Sequence, residues 1–154
     1  ALKWPNDLLV DGAKCSGLLL EGESGAGRFA VIAGLGVNIA SCAQGTPYPA
    51  SFLRAHAPDV TIEAVLEALA EAWAQRFAIW CRPGGFGPIR EAWLERAAFL
   101  GETITIRPPS GAVTGVFVGL DPGGRLLLET STGTQTFDAG DLFFGAAVVE
   151  DAPR

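Results

Sequence analysis

The 154-residue sequence contains no methionine, one histidine and three cysteines. With only His56 available and no CxxC pair, no ligand set for zinc is present. The cysteines, Cys15, Cys42 and Cys81, are odd in number and widely spaced, which favours reduced thiols in a cytoplasmic protein over a disulfide framework. Because the chain begins with Ala1 rather than methionine, we expect it to be processed or to be a piece of a longer protein.

Runs of positive charge and long apolar segments are also missing. The net charge is −6 and Lys and Arg form no cluster, which argues against nucleic acid or an anionic membrane as the main partner. The longest apolar stretch, residues 29–40, is interrupted by glycines and too short to cross a bilayer, and no signal peptide is visible. Hydrophobic residues at 49% and charged residues at 18% instead predict a folded protein with a real core.

The first part of the chain predicts strands. A short apolar run at residues 8–10 precedes Asp11-Gly12, a hairpin turn signal, and the return strand covers residues 14–21. Another strand is predicted within residues 29–39. The apolar run Leu18-Leu19-Leu20 in the return strand is unbroken, which predicts burial on both faces. The strand within residues 29–39 is also predicted to be buried, although Gly34 and Gly36 interrupt it.

Two helices are predicted next. Residues 41–58 are irregular, Thr61 is a suitable N-cap, and apolar residues recur at helical spacing as far as Trp80. Gly87-Pro88 opens a second helix. We expect Trp73, Trp80 and Trp93 to be core aromatics.

The pattern changes after Gly101. Short strands separated by turn residues predict a small barrel over residues 101–149, followed by a loose tail at 150–154. The four predicted strands cover residues 103–107, 113–119, 126–129 and 134–137. The fold class is therefore α+β.

Residues 3–7 read Lys-Trp-Pro-Asn-Asp. Pro5 fixes its own φ and favours an extended Trp4, while Asn6 and Asp7 are turn formers. Lys3 is therefore expected at a strand end beside a stiff corner, with its ammonium group in a defined direction. Considered without the rest of the chain, these residues predict an ordinary surface corner.

Three motifs follow one another: KWPND at residues 3–7, KCSGLLLE at 14–21 and GLGVN at 34–38. Their order resembles the second half of the catalytic domain of biotin protein ligases. Phe86 to Arg96 resembles a helix of that family, with a W-x-x-R-like core at residues 93–96. The closing strands resemble the family's SH3-like C-terminal domain. The resemblance implies that residues 1–100 form part of a mixed sheet with two helices, the biotin/lipoate ligase-like fold, followed by the SH3-like barrel.

The resemblance also implies the chemistry. In this family the biotin carboxylate attacks the α-phosphate of ATP, giving biotinyl-5′-AMP and pyrophosphate, and Mg²⁺ is expected. A lysine of a biotin carboxyl carrier protein, such as that of acetyl-CoA carboxylase, then attacks the mixed anhydride. The resemblance therefore implies a cytoplasmic enzyme, and no membrane or nucleic-acid partner is expected from this chain. Members of the family pair their sheets edge to edge, so a homodimer is one outcome for these strands.

Residue roles carry over motif by motif. Lys3 is implied as the catalytic cation near the biotin carboxyl and the phosphoryl group. Further contacts to biotin or the adenylate are implied for Leu8, Gly17, Gly34, Gly36 and Asn38. The structural alternatives are a core position for Leu8, a packing role for Gly17 and a cap at the strand end for Asn38. The G-x-G pattern of Gly34 and Gly36 is weak evidence by itself. No metal-binding residue is implied.

Other polar residues are given structural roles. Lys14 is expected to pin the hairpin or face solvent rather than touch ligand, and Asn6 and Asp7 to build the corner rather than bind metal. His56 is expected in solvent because the sequence shows no partner for it.

The family's Gly/Arg-rich adenylate loop does not occur in this sequence. We therefore expect the chain to be a fragment with little ligase activity alone. Two alternatives stay open: a ligase for lipoate or another acyl carboxylate, and a non-catalytic interaction module built around the barrel.

Overall fold

The computed structural model describes residues 1–25 and 27–139. The chain divides into two compact units, Ala1–Ala78 and Ile79–Arg154. The predicted tail at 150–154 and the last ten residues of the predicted barrel, 140–149, lie outside the described residues. The elements are β1 (Leu2–Lys3), β2 (Asp7–Val10), β3 (Ala13–Gly25), β4 (Arg28–Val37), α1 (Leu53–His56), α2 (Ile62–Trp80), α3 (Phe86–Leu94), β5 (Thr103–Ile106), β6 (Val113–Leu120), β7 (Leu126–Thr130) and β8 (Gly133–Phe137).

The first unit contains a four-stranded sheet in the order β1-β2-β3-β4. Asp11 and Gly12 both have positive φ, 49° and 78°, as the tight turn between β2 and β3 requires. Every pairing of these strands is antiparallel, so the prediction of a mixed sheet was wrong for the strands described. The reason is that a short turn can join only antiparallel neighbours. One isolated parallel bridge joins Lys14 to Ala50.

Strands β3 and β4 are long, and their apolar runs are exposed although the sequence predicted them to be buried. β2 pairs with β3 only as far as Gly17, and β3 and β4 continue together from there as a two-stranded arm. Large apolar side chains on the arm are 41–70% exposed: Leu19, Leu20, Phe29, Val31, Ile32 and Leu35. The strands were therefore predicted correctly, but the burial of their apolar side chains was predicted incorrectly, because a run of apolar residues does not show what covers it.

Helix α2 occupies the predicted segment. The Thr61 hydroxyl accepts a hydrogen bond from the Ala64 N–H at 3.1 Å, which confirms Thr61 as the N-cap. The expectation of core aromatics was wrong for Trp73 and Trp80, which are 57% and 53% exposed. Trp73 instead stacks on Phe77 along the helix surface, with ring centroids 6.1 Å apart.

Helix α1 lies in the segment predicted to be irregular. Its first turn is held by backbone bonds from Leu53 and Arg54 to the carbonyls of Asn38 and Ile39, both at 2.9 Å. These partners are distant in sequence and no side-chain cap announces the helix. Helix α3 begins close to the predicted Gly87-Pro88 start.

The second unit contains the antiparallel meander β5-β6-β7-β8, so all four predicted strands are confirmed. Alternating residues point inward and form a core in which seven apolar side chains are at most 8% exposed: Ile104, Ile106, Phe117, Leu120, Leu126, Leu128 and Phe137. Trp93 of α3 is half-buried, with its ring edge-on to Phe117 at 6.5 Å.

No helix in the described part of the chain is long and apolar enough to cross a membrane.

Candidate active site

One row of residues crosses all four strands of the first sheet. Lys3 on β1 pairs with Asp7 on β2, Asp7 pairs with Gly17 on β3, and Gly17 pairs with Gly36 on β4. Directly paired residues of antiparallel strands share a face, and neighbouring strands lie about 4.8 Å apart. The sheet therefore brings the three sequence motifs into one line, with two charged side chains beside two glycines.

The corner before Asp7 is built as the sequence predicts. The Asn6 side-chain amide donates to the Leu18 carbonyl at 2.5 Å, and the Leu18 N–H donates to the Asn6 carbonyl at 2.9 Å. The Trp4–Pro5 peptide bond is cis. Lys3 lies on β1 directly before this corner.

A cavity of about 370 Å³ opens where β3 and β4 meet the loop that follows β4. Its lining includes Lys14, Gly17, Gly36, Asn38 and Tyr48. Lys14 is the one charged residue among the described residues that line it. The volume falls in the range of small-molecule sites, about 300–1,000 Å³.

Three of the predicted contact residues, Lys3, Leu8 and Gly34, are not among the described residues that line this cavity. Gly34 lies two residues from Gly36 on β4 and therefore on the same sheet face. Leu8 is 39% exposed and pairs with Leu2 and Ser16 in the neighbouring row. Lys3 stands at the far end of the row from Gly36, three strands away.

Lys14 forms an ion pair across the hairpin, in agreement with its expected structural role. Its Nζ lies 2.6 Å from Asp7 Oδ1, in an ion pair whose side chains are 30% and 17% exposed. The same ammonium lies 5.4 Å from the centroid of the Tyr48 ring. Lys14 pins the hairpin through this ion pair, and it is also one of the residues that line the cavity.

A β-bulge explains this position. Leu8 pairs with Ser16 and Leu9 with Lys14, so Cys15 is an extra residue on β3. Strict alternation would place Lys14, three residues before Gly17, on the opposite face. The bulge reverses that parity and brings Lys14 onto the face of Asp7 and Gly17.

Asn38 joins β4 to the loop around the cavity. Its side-chain Nδ2 donates to the Ser51 carbonyl at 3.0 Å and lies 3.5 Å from the Lys14 carbonyl, and its backbone N–H donates to the Cys15 carbonyl at 2.9 Å. These bonds support the structural alternative for Asn38, in which its side-chain Nδ2 caps the end of the strand. Its Oδ1 is an acceptor on a residue that lines the cavity.

His56 has partners that the sequence did not reveal. Its Nε2 lies 2.8 Å from Ser51 Oγ, and its Nδ1 lies 3.4 Å from Asp11 Oδ2. His56 is exposed, as expected, but the expectation that it has no partner was wrong. The connectivity is that of a Ser-His-Asp triad, but the Asp11 side chain is 85% exposed, so water competes for its carboxylate. We assign the cluster to holding the β2–β3 turn against α1.

The cysteines behave as reduced thiols. Cys15, Cys42 and Cys81 are all free, and Cys15 is fully buried. Burial raises the pKa of the Cys15 thiol, and the nearby Cys42 raises it further. No cluster of three or more His, Cys, Asp or Glu that could hold a metal ion occurs within residues 1–25 and 27–139.

Comparison with known proteins matches both units. Residues 99–145 match the family model described as the biotin protein ligase C terminal domain. The chain is 41% identical over 152 residues to a biotin–[acetyl-CoA-carboxylase] ligase of Paracoccus denitrificans, covering 94% of this chain and 63% of that protein. This chain is therefore similar to biotin protein ligases over most of its length. The resemblance carried by KWPND and the two glycine motifs is thereby confirmed.

Two more distant proteins agree. A bifunctional ligase/repressor BirA of Bacillus spizizenii is 29% identical over 150 residues, which cover 94% of this chain and 46% of that protein. The structure of the Aquifex aeolicus biotin protein ligase in complex with biotin and ATP superposes with a TM-score of 0.78 at 22% identity, over 98% of this chain and 62% of that one. The fold is therefore biotin ligase-like. This chain spans about half to two thirds of the length of these relatives.

Proposed function

We propose that the protein carrying this chain is an ATP-dependent biotin protein ligase. It forms biotinyl-5′-AMP and pyrophosphate, and then transfers biotin to a lysine of a biotin carboxyl carrier protein, such as that of acetyl-CoA carboxylase. The row Lys3–Asp7–Gly17–Gly36 carries the proposal, because it sets a cation and two glycines of the family motifs on one face. The 41% identity to the Paracoccus ligase supports it.

Lys3 is the catalytic residue in this proposal. Adenylate formation brings a carboxylate against a phosphate and spreads negative charge at phosphorus, so a fixed cation lowers the barrier. Gly17, Gly34 and Gly36 let the ligand approach the backbone, and a Cβ at Gly34 or Gly36 would lie no closer than 3.8 Å to any atom outside its neighbours. Asn38 offers Oδ1 to the nucleotide, and Leu8 contributes to the biotin pocket.

Mg²⁺ enters this proposal as a companion of ATP rather than as a resident ion. The described residues hold no metal-ligand cluster, and the Asp7 carboxylate is paired with Lys14. Mg²⁺ commonly uses substrate phosphates and water with one or two carboxylates. The residues described by the structure therefore do not fit a resident Mg²⁺ site.

The remaining features complete the proposal. Residues 1–100 form the C-terminal part of the catalytic domain and residues 101–149 an SH3-like barrel, which the family match at 99–145 supports. The enzyme works in the cytoplasm and dimerises through β4, the edge strand of the first sheet.

The test is pyrophosphate exchange into ATP by the full-length protein, with biotin or lipoate as the acyl substrate. Exchange that requires biotin, followed by labelling of a carrier-protein lysine, supports the proposal. Exchange driven by lipoate and not by biotin would replace it with the acyl-ligase alternative. Absence of exchange with either acid would favour a non-catalytic interaction module.

A further inference from the structure

We propose that Lys14 is a second ligand-binding cation of this site, and that Asp7 and Gly17 position its ammonium for the phosphate groups of the nucleotide. The inference rests on the proposed function for the identity of the nucleotide as a substrate. It assigns to Lys14 a role beyond pinning the hairpin.

Charge in the cavity is the first argument. Lys14 is the one charged residue among its described lining residues, and the others are neutral polar, apolar or glycine. A nucleoside triphosphate brings several negative charges, and in an acidic chain of net charge −6 a local cation is needed to receive them. An ammonium has three N–H donors, so the bond to Asp7 Oδ1 accounts for one of them.

Preorganisation is the second argument. Asp7 at 2.6 Å and the Tyr48 ring at 5.4 Å hold the ammonium on two sides, and both side chains of the ion pair are largely shielded from solvent. A lysine stem has high rotamer entropy, so a cation fixed before the ligand arrives binds at lower entropic cost. Asp7 is in this sense a positioning residue for Lys14.

Gly17 is the third argument. A Cβ built at Gly17 would lie 3.2 Å from Lys14 Nζ and Cε and 3.3 Å from Asp7 Oδ1. These distances are shorter than ordinary van der Waals contact, so a side chain at residue 17 would shift the ends of the Lys14 and Asp7 side chains by a few tenths of an ångström. Because the displaced atoms are ends of side chains, the fold can absorb Gly17→Ala while the ammonium moves. Gly17 therefore has a second reason to be glycine, besides backbone approach by biotin.

The experiment measures binding of ATP, adenosine and biotin separately by calorimetric titration of the full-length protein. Lys14→Met keeps the apolar stem and removes the charge. We expect it to weaken ATP binding by about tenfold to hundredfold, the effect of losing a charge-assisted hydrogen bond. Adenosine and biotin, which lack the phosphates, should bind within about twofold of wild type.

A second variant distinguishes a loss of ligand binding from a loss of folding. Lys14→Met leaves the Asp7 carboxylate unpaired, so the double variant Asp7→Asn/Lys14→Met removes both charges at once and should melt close to wild type. We expect it to show the same selective loss of ATP binding. If the double variant folds and binds ATP like wild type, the inference is overturned.

A double-mutant cycle tests the role of Gly17. Gly17→Ala should weaken ATP binding in the wild-type background and add little once Lys14 is Met, because its effect acts through the ammonium. An equal loss in both backgrounds would show that Gly17 serves the ligand directly and would overturn the positioning claim.

The two proposals fail in different assays. Selective loss of ATP binding in the Lys14 variants, without biotin-dependent exchange in wild type, would keep the phosphate site and reject the ligase. Biotin-dependent exchange in wild type with unchanged ATP affinity in the variants would keep the ligase and reject the role of Lys14.

Discussion

The Asn38 side-chain amide donates to the Ser51 carbonyl at 3.0 Å and so connects the end of β4 to the chain just before α1. The two residues are 13 positions apart, and the segment between them forms one wall of the cavity. Lys14 continues this connection, because its N–H donates to the Pro49 carbonyl and its carbonyl accepts from the Ser51 N–H at 2.8 and 2.9 Å. The cavity wall is therefore hydrogen-bonded to the sheet at its base.

Replacing Asn38 tests this connection. Asn38→Ala removes the donor and leaves the Ser51 carbonyl without it, so we expect a loss of about 1–2 kcal/mol in the free energy of unfolding. The measurement is the midpoint of urea denaturation. Gln75→Ala is the control, because the Gln75 side chain donates to the exposed Glu71 at 3.3 Å on the surface of α2, and it should change stability by less than about 0.5 kcal/mol. Equal effects of the two variants would contradict the role of Asn38.

Much of the secondary structure could be predicted because its signals are local. The Asp11-Gly12 turn, the Thr61 cap and the alternation in β5 and β6 each depend on residues close in sequence. The strand bounds followed from these signals within two residues, except that β3 runs four residues past its predicted end.

The burial and the geometry of the site could not be predicted in the same way. The exposure of the β3–β4 arm depends on where β2 stops pairing, and the position of Lys14 depends on a bulge at Cys15. Both are properties of strand pairing rather than of a residue pattern. The partners of His56, Ser51 and Asp11, likewise come from α1 and a turn that meet only in the fold.

The packing of the second unit predicts a cost for a side chain at Gly115. A Cβ there would lie 2.6 Å from the Glu129 carbonyl oxygen, which is backbone and cannot move aside. We expect Gly115→Ala to lower the free energy of unfolding by about 1–3 kcal/mol, as overpacking does. Gly87→Ala is the matched control, since nothing lies within 4 Å of its Cβ position and it lies in α3, where alanine should gain up to about 1 kcal/mol. Thermal melts of the two variants should shift in opposite directions.

Asp121 predicts a pH dependence. Hydrogen bonds from the Arg125 and Gly123 N–H groups and the Arg125 guanidinium lower the pKa of this carboxyl, with the Arg125 backbone bond contributing most. A lowered pKa in the folded state stabilises the fold above the ordinary aspartate pKa of about 3.9, and this contribution is lost as the pH falls through the folded-state value. Asp121→Asn should therefore destabilise the protein at neutral pH and less so near pH 2–3, as measured by urea denaturation at several pH values. A difference that is independent of pH would contradict this.

The cysteines predict an order of chemical labelling. Cys81 is exposed and Cys42 is partly exposed, whereas Cys15 is buried with a raised pKa. Because the thiolate is the reactive form, iodoacetamide at pH 8 should modify Cys81 first and Cys15 last. Peptide mass spectrometry over a time course gives the order. Early modification of Cys15 in the folded protein would contradict its placement.

Lys3 gives the most direct test of the central claim, that this sheet face performs acyl-adenylate chemistry. Lys3→Ala in the full-length protein should reduce biotin-dependent pyrophosphate release by about 100-fold to 1,000-fold, as expected for removing one preorganised electrostatic contact. Arg76→Ala, which removes an exposed cation from α2, is the charge-matched control and should leave the rate unchanged. Pyrophosphate release by Lys3→Ala at the wild-type rate would contradict the account.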